Sequence, residues 1–125
     1  MNICDVRTET FEFFQGAGPK IYFRLAEATY DYSRGVVVPR GFINLDLAQV
    51  TCRIASEGIV FVSRDAVIDP DQTNNPGKAY LQMLPSDTAS FTETVYAEMQ
   101  IKLIPPNGYD IFIDGPKLII KENLF

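Results

Sequence analysis

Apolar and polar residues alternate along several short segments of this chain. In residues 20–25 the apolar positions are Ile21, Phe23 and Leu25, with charged or amphipathic residues between them. Residues 78–84 and 94–104 show the same alternation, which has the period of two expected for a β-strand with one face in a core. These segments therefore predict strands, and the chain shows no sustained helical period.

Turn residues separate the alternating segments at short intervals. Residues 15–19 contain two glycines and a proline, Glu57-Gly58 forms a short turn, and Asn107-Gly108 is a hairpin-type dipeptide. Short strands with turn signals every ~8–12 residues are typical of an immunoglobulin-type sandwich. The sequence therefore predicts an all-β fold, an immunoglobulin-like antiparallel β-sandwich of about seven to nine strands. The predicted strands cover residues 8–14, 20–25, 42–45, 50–56, 59–63, 78–84 and 94–104, and a last strand, broken at Asp114-Gly115, covers residues 109–113 and 116–121. A further strand at residues 64–68 stays open.

The length fits one domain, so residues 1–125 are assigned to a single sandwich. Residues 1–10 are predicted to form an N-terminal arm. Residues 26–41 and 69–77 are less regular and are predicted to be exposed loops. Within the first of these loops, Val36–Val38 is either an exposed patch or a short edge strand stopped by the proline that follows it.

The composition is that of an ordinary soluble globular protein, with 46 % hydrophobic and 22 % charged residues. No apolar run approaches the ~20 residues that cross a bilayer, and the first residues do not resemble a signal peptide. The net charge is −5, and the eleven basic residues are scattered singly along the sequence. A phosphate-tracking surface normally needs a basic stripe, so we expect neither a nucleic acid nor a membrane as a partner.

The chain contains no histidine, which removes Ser-His and Cys-His nucleophile pairs and the commonest general base. The two cysteines, Cys4 and Cys52, cannot form a four-ligand zinc site on their own. Cys52 lies in an alternating strand and is predicted to be a small buried hydrophobe rather than half of a disulfide.

Acidic side chains do not form a recognisable site either. Residues 69–75 place oxygen ligands at alternate positions, but Asn74 and Tyr80 stand where a calcium loop has glycine and glutamate. Asp46, Asp87, Glu98 and Asp110 fall on different strands or corners, where turn capping or simple solvation explains them. We therefore expect no catalytic residue, no metal site and no cofactor, and we expect that the protein is not an enzyme.

Aromatic and branched side chains in two segments predict a protein interface. The first segment alternates Phe-Glu-Phe-Phe, so one of its faces must leave aromatic rings near the surface. The second lies in the irregular region before Pro39, where no core-facing period is visible. The candidate interface residues are Phe11, Phe13, Tyr30, Tyr32, Val36, Val37 and Val38.

The order of these segments resembles the immunoglobulin-like domain of tailed-bacteriophage virion proteins, as found at the N-terminus of baseplate upper proteins and in related tail proteins. This sequence departs from the family pattern at two places. Where the family has a Gly-Tyr step before the long strand, this sequence has Val95-Tyr96, and residues 26–41 lengthen a connection that is usually short. The segments that carry the resemblance are Ile21–Leu25, Asp46-Leu47 with Val50–Ile54, Asp87-Thr88-Ala89, Tyr96 with Glu98–Ile101, and Gly115 with Leu118–Ile120.

The resemblance implies a structural virion protein, a protein–protein docking module in the tail, the baseplate or the tail-fibre attachment region. Its partners would be other phage structural proteins in a homo- or hetero-oligomer, and it would be made in the host cytoplasm and end in the virion. Two alternatives stay open. One is a capsid decoration or head–tail connector protein; the other is a carbohydrate- or receptor-binding module that uses Tyr30, Tyr32 and Tyr109 as aromatic faces.

Overall fold

The computed structural model describes residues 2–6 and 9–125, and within them nearly all regular structure is β-strand. A 3-10 turn at Pro85–Asp87 is the one helical element of the described chain. The strands are β1 (Asn2–Asp5), β2 (Phe11–Phe14), β3 (Lys20–Asp31), β4 (Val36–Phe42), β5 (Gln49–Ser56), β6 (Ile59–Asp65), β7 (Val67–Ile68), β8 (Lys78–Gln82), β9 (Val95–Ile104) and β10 (Ile111–Lys121).

The ten strands form two five-stranded sheets that pack face to face, which confirms the predicted all-β sandwich. The first sheet has the order β1-β3-β8-β7, with β4 also paired to β3, and the second has the order β2-β10-β9-β5-β6. All pairs are antiparallel except β2 with β10, which are parallel. Ten strands exceed the predicted number, since β1 and the two-residue β7 both pair within the first sheet.

The strand order can be compared with the immunoglobulin pattern when β4, the antiparallel hairpin partner of β3, is set aside. The first sheet then corresponds in chain order to strands A-B-E-D. In the second, β10, β9, β5 and β6 correspond in chain order to G-F-C with an added C′ strand, and β2 is an additional strand parallel to β10.

The core lies between the sheets and is formed by the side chains on their inner faces. The inward positions predicted on β3, β8 and β9 are buried, except Val95 at the start of β9, which is partly buried; the period-two pattern is thus confirmed for these strands. The buried core residues are Phe13, Ile21, Phe23, Leu25, Leu45, Val50, Cys52, Ile54, Val62, Ala79, Leu81, Met83, Ala97, Met99, Ile101, Leu103, Ile113, Leu118 and Ile120.

β3 is long enough to pair with two strands along one edge. The Leu25 N–H donates to the Gly77 carbonyl at 2.9 Å, and the Leu25 carbonyl accepts from Ile43 N–H at 3.1 Å. Because both groups of one strand residue point to the same side, β8 and β4 lie end to end on that edge and β1 lies on the other. Gly77 has φ of +81°, and a Cβ there would lie 2.3 Å from the Leu25 carbonyl oxygen. Only glycine therefore fits at this junction.

Gln72 is buried and anchors the loop between β7 and β8. Its Oε1 accepts hydrogen bonds from Leu45 N (3.0 Å) and Gly77 N (2.9 Å). Its Nε2 donates to the carbonyl oxygens of Asp69 (2.9 Å) and Lys78 (3.2 Å). The side chain thus uses all four of its hydrogen-bonding positions. The loop predicted at residues 69–77 is exposed at Pro70, Asp71, Thr73 and Asn74, but Gln72 and Gly77 lie inside the fold.

A bidentate ion pair joins β6 of the second sheet to the 3-10 turn that follows β8 of the first. Arg64 on β6 donates to both carboxylate oxygens of Asp87, at 2.6 and 2.7 Å, and also to the Gln82 carbonyl on β8. Asp87 additionally accepts the Leu84 N–H at 2.7 Å and so closes the 3-10 turn. The Arg64 hydrogen bond holds the pKa of Asp87 below its usual range. The same contact raises the pKa of Arg64.

Three sequence predictions are corrected by the strand assignment. Asn2–Asp5 pairs with β3, so this part of the predicted N-terminal arm at residues 1–10 belongs to the first sheet. Residues 26–41 are mostly the second half of β3 and most of β4 rather than a loop. The strand predicted at residues 8–14 is observed as Phe11–Phe14. Met1, Arg7 and Thr8, which those predictions include, lie outside the described residues.

Candidate docking surface

The turn between β3 and β4 is held by the Asp31 carboxylate. Oδ1 accepts from Ser33 Oγ (2.6 Å), Ser33 N (3.0 Å) and Arg34 N (3.3 Å), and Oδ2 accepts from Arg34 Nε (2.7 Å). The Gly35 N–H closes the turn on the Asp31 carbonyl at 2.8 Å, with Gly35 in the left-handed region at φ of +65°. The hydrogen bonds from Ser33, and after them those from Arg34, lower the pKa of Asp31. A short polar network therefore fixes the hairpin tip.

This tip displays a group of aromatic and branched side chains to solvent. Tyr32 is 88 % exposed, and Tyr30, Val36 and Val37 are each about half exposed. The Tyr30 and Tyr32 rings meet edge to face at 4.7 Å, and Val37 lies directly across the ladder from Tyr30. Val36 lies across the ladder from Asp31 and therefore projects from the other face, so we call Tyr30, Tyr32 and Val37 the hairpin patch. Contiguous exposed apolar surface of this kind marks interaction sites.

The β4 strand leaves one edge of the hairpin without a partner among the described residues, since it pairs only with β3. Pro39 within it carries no N–H, and Arg40 Nε donates to Thr29 Oγ1 at 2.8 Å. A proline and a charged side chain on an edge strand oppose indiscriminate strand addition. The side chains of the hairpin patch, rather than the β4 backbone, are therefore the features available for specific docking.

A groove of about 510 Å³ runs beside the patch, between the hairpin and the start of β10. Tyr30 and Val37 line one side of it, and Ile111 and Phe112 line the other. Phe112 is 64 % exposed and extends the apolar surface from the first sheet to the second. Phe112 was not among the predicted interface residues, because its position beside the hairpin depends on how the two sheets pack.

The structure brings five of the seven predicted interface residues together and separates the other two. Tyr30, Tyr32 and Val36–Val38 all lie on the hairpin, with Val38 half-buried. Phe13 is 7 % exposed and packs in the core, so the prediction of an exposed side chain there is wrong. Phe11 is half-buried against the core. Phe14 takes the surface position instead, with Lys121 Nζ 4.9 Å from its ring centre.

The acidic residues of the loop at 69–77 are engaged in local turns. Asp69 Oδ1 accepts Asp71 N at 2.8 Å, and the two Asp71 oxygens accept the Asn74 N–H and side-chain amide at 3.1 and 2.8 Å. The Asn74 hydrogen bonds lower the pKa of Asp71. Within residues 2–6 and 9–125, no three histidine, cysteine or acidic side chains gather in a group that could hold a metal ion.

Both cysteines are free thiols. Cys52 is fully buried on β5 as predicted, and Cys4 is half-buried beside the groove. Burial raises the pKa of the Cys52 thiol to about 12, and burial also raises the pKa of Cys4. Neither thiol is therefore activated as a nucleophile by its surroundings.

Comparisons with known proteins assign this chain to no family, so its function is argued from the structure and the residues. A scan of protein-family models finds none that matches this chain, and a search of curated proteins finds no match either. Among the described residues there is no helix long and apolar enough to cross a membrane.

Proposed function

We propose that this chain is a structural virion protein of a tailed bacteriophage and works as a protein–protein docking module in the tail, the baseplate or the tail-fibre attachment region. The observation that carries the docking role is the hairpin patch. Its rings are held on a fixed turn, so little side-chain and loop entropy is lost when a partner covers them. The placement in a phage particle rests on the resemblance of the strand segments to phage immunoglobulin-like domains.

The chemistry of the patch fits a protein partner. Tyrosine is enriched among the residues that dominate binding energy at protein interfaces, and truncating such an anchor costs roughly 2–4 kcal/mol. A particle repeats each contact many times, so weak single contacts become a stable assembly. The partners of this proposal are other structural subunits of the same particle.

A carbohydrate-binding role is the second candidate, and ring geometry argues against it. The Tyr30 and Tyr32 planes are inclined at 74° to each other and so do not form a flat stacking platform for a sugar. A glycan array separates the two roles, since tyrosine-dependent binding to any glycan would favour the sugar-binding alternative.

The proposed function is tested by crosslinking mass spectrometry on purified particles of a phage that encodes this chain. The expected result is the protein at a fixed copy number, crosslinked to a neighbouring subunit near the hairpin. The identity of that neighbour distinguishes tail, baseplate and fibre positions from capsid decoration or a head–tail connector. Absence of the protein from particles would remove the virion role.

Matched variants test the docking surface itself. Tyr32→Ser removes the most exposed ring of the hairpin patch and is expected to reduce incorporation into particles strongly. Tyr96→Ser removes a ring that is 70 % exposed on β9, in the second sheet, and is expected to leave incorporation unchanged. Equal incorporation of both variants would show that the hairpin is not the docking surface.

A further inference from the structure

Three basic side chains that are scattered in the sequence come together on the outer face of the first sheet. β3 and β8 pair with Tyr22 directly opposite Tyr80 and with Arg24 directly opposite Lys78. Lys20 lies two residues before Tyr22 and therefore projects from the same face. The intervening residues of both strands point into the core. Strand register thus builds a basic surface that the scattered sequence positions did not indicate.

Aromatic rings contact two of these three cations. The Arg24 guanidinium carbon lies 3.4 Å from the ring centre of Phe42, and Arg24 Nε donates to the Pro76 carbonyl at 2.9 Å. Lys20 Nζ lies 4.8 Å from the ring centre of Tyr80. A guanidinium stacked on a ring and fixed through Nε keeps its terminal nitrogens available for a bidentate contact with a carboxylate. We call Lys20, Tyr22, Arg24, Phe42, Lys78 and Tyr80 the basic-aromatic face.

The cations of this face are not neutralised by ion pairs within the described part of the chain. The three ion pairs found there join Arg34 with Asp31, Arg64 with Asp87, and Lys121 with Glu12.

Among the described residues, the buried carboxylate of Asp5 accepts the Arg24 backbone N–H at 3.2 Å, and two further acidic residues lie at the margins of the face. Glu9 and Tyr22 line the same cavity, and Asp69 N donates to the Lys78 carbonyl at the opposite edge. A chain with a net charge of −5 therefore carries a local positive surface with exposed rings, Tyr22 being half exposed.

We propose that the basic-aromatic face binds an extended, acidic segment of a partner protein. Lys20 and Arg24 are four residues apart on one strand, about 13 Å, so an extended segment with carboxylates four residues apart would reach both. Lys78 lies about 5 Å across the ladder from Arg24 and would share the second carboxylate. This surface is separate from the hairpin patch and does not depend on the function proposed above.

An acidic protein segment suits this face better than a nucleic acid. The Tyr22 and Tyr80 rings lie 5.3 Å apart but are inclined at 51°, so they do not offer the parallel faces on which successive bases stack. The overall negative charge also repels a long polyanion more strongly than a short acidic segment.

The test is an NMR titration of the whole chain at low salt with a hexaglutamate peptide. A hexaglutamine peptide is the neutral control, and an oligothymidylate is the nucleic-acid control. The expected result is salt-sensitive shifts that centre on residues 20–24 and 78–82 with hexaglutamate, and none with hexaglutamine. Arg24→Gln is expected to weaken the glutamate affinity by about tenfold or more, which corresponds to the loss of a charged hydrogen bond.

Two further variants protect the test against a folding defect. Lys20→Gln removes the charge that lies over the Tyr80 ring, and it is expected to weaken hexaglutamate binding as well. Arg53→Gln removes a cation from the outer face of the second sheet and is expected to leave binding unchanged. No hexaglutamate shifts, shifts away from this face, equal weakening by Arg53→Gln, or tighter binding of the oligothymidylate would each overturn the proposal. Because Tyr32→Ser is expected to leave hexaglutamate binding intact, failure here and failure of the docking role are distinguishable.

Discussion

Replacing Gln72 by alanine should destabilise the fold far more than replacing an exposed glutamine. The substitution removes four hydrogen bonds, and it leaves the Leu45 and Gly77 N–H groups without an acceptor in a region closed to solvent. Each typical bond contributes about 0.5–1.5 kcal/mol, and each orphaned buried group costs about 1–3 kcal/mol. Allowing for water that enters the vacated space, we expect a loss of about 3–4 kcal/mol, a large share of the roughly 5–15 kcal/mol that stabilises a domain.

The matched control is Gln49→Ala. Gln49 is exposed on β5, and its amide meets Asp65 at 3.2–3.3 Å, so its loss should cost less than about 0.5 kcal/mol. Urea unfolding followed by far-ultraviolet circular dichroism measures both values. Thermal unfolding should show a Tm lower by roughly 10–15 °C for the Gln72 variant. A loss of less than about 1 kcal/mol would refute the argument that this amide anchors the loop.

Gln72→Glu keeps the shape of the side chain but replaces the donating amide nitrogen with an accepting carboxylate oxygen. A carboxylate oxygen would then face the carbonyl oxygens of Asp69 and Lys78, which accept hydrogen bonds from the amide. Burial beside these oxygens raises the pKa of the introduced carboxyl above its unfolded value of about 4.3. The destabilisation should therefore be greatest at neutral pH and should diminish as the pH falls through the raised folded pKa. A pH-independent loss would show that side-chain volume, rather than polarity, decides the cost.

Three further outcomes are expected. Gly77→Ala should lower the unfolding free energy by several kcal/mol, since its Cβ would collide with a β3 carbonyl. The control Gly16→Ala has a similar φ of +79° but open space around it, and it should cost about 1–2 kcal/mol. Equal losses of the two variants in urea unfolding would contradict this. Because the folded pKa of Asp87 is lowered, its stabilising pair with Arg64 is fully present above the unfolded pKa of about 4 and is lost as the pH falls through the folded value; Arg64→Met should flatten this acid-side decline, and an unchanged pH profile would refute the assignment. Cys52 should resist a thiol reagent at pH ~8 until the protein unfolds, and rapid labelling of this residue in the native state would disprove its burial.

The sequence predicted the strands whose inner faces alternate without interruption, and it failed where the phase shifts. On β3 the buried positions continue past Leu25 to Ala26 and Ala28, so the period of two breaks in the middle of the strand. On β4 the ladder skips between Phe42 and Pro39, which reads in sequence as a turn but is a bulge in a strand. Residues 26–41 therefore show no regular alternation and were predicted to be a loop, although they form a hairpin.

The candidate surfaces depended on pairing that one segment of sequence does not contain. The Phe-Glu-Phe-Phe run allows either face inward, and the parallel register that sets Phe13 beside Ile120 decides which ring is buried. The basic-aromatic face needs the β3–β8 register, which unites Arg24 with Lys78 from a distant part of the chain. Tyr30, Tyr32 and Val36–Val38 could be chosen as candidate surface residues because their aromatic and branched character is visible in one short segment of the sequence.

The end-to-end placement of β8 and β4 on one edge of β3 divides that strand into two units of different protection. The first half shares its ladder with β8 and anchors side chains in the core, so its amide protons should exchange with solvent only on global unfolding. The half that includes Thr29–Asp31 pairs with β4 and supports mainly exposed side chains. Its amides should exchange through local opening of the two paired strands, while the amides of the first half stay protected in the closed sandwich.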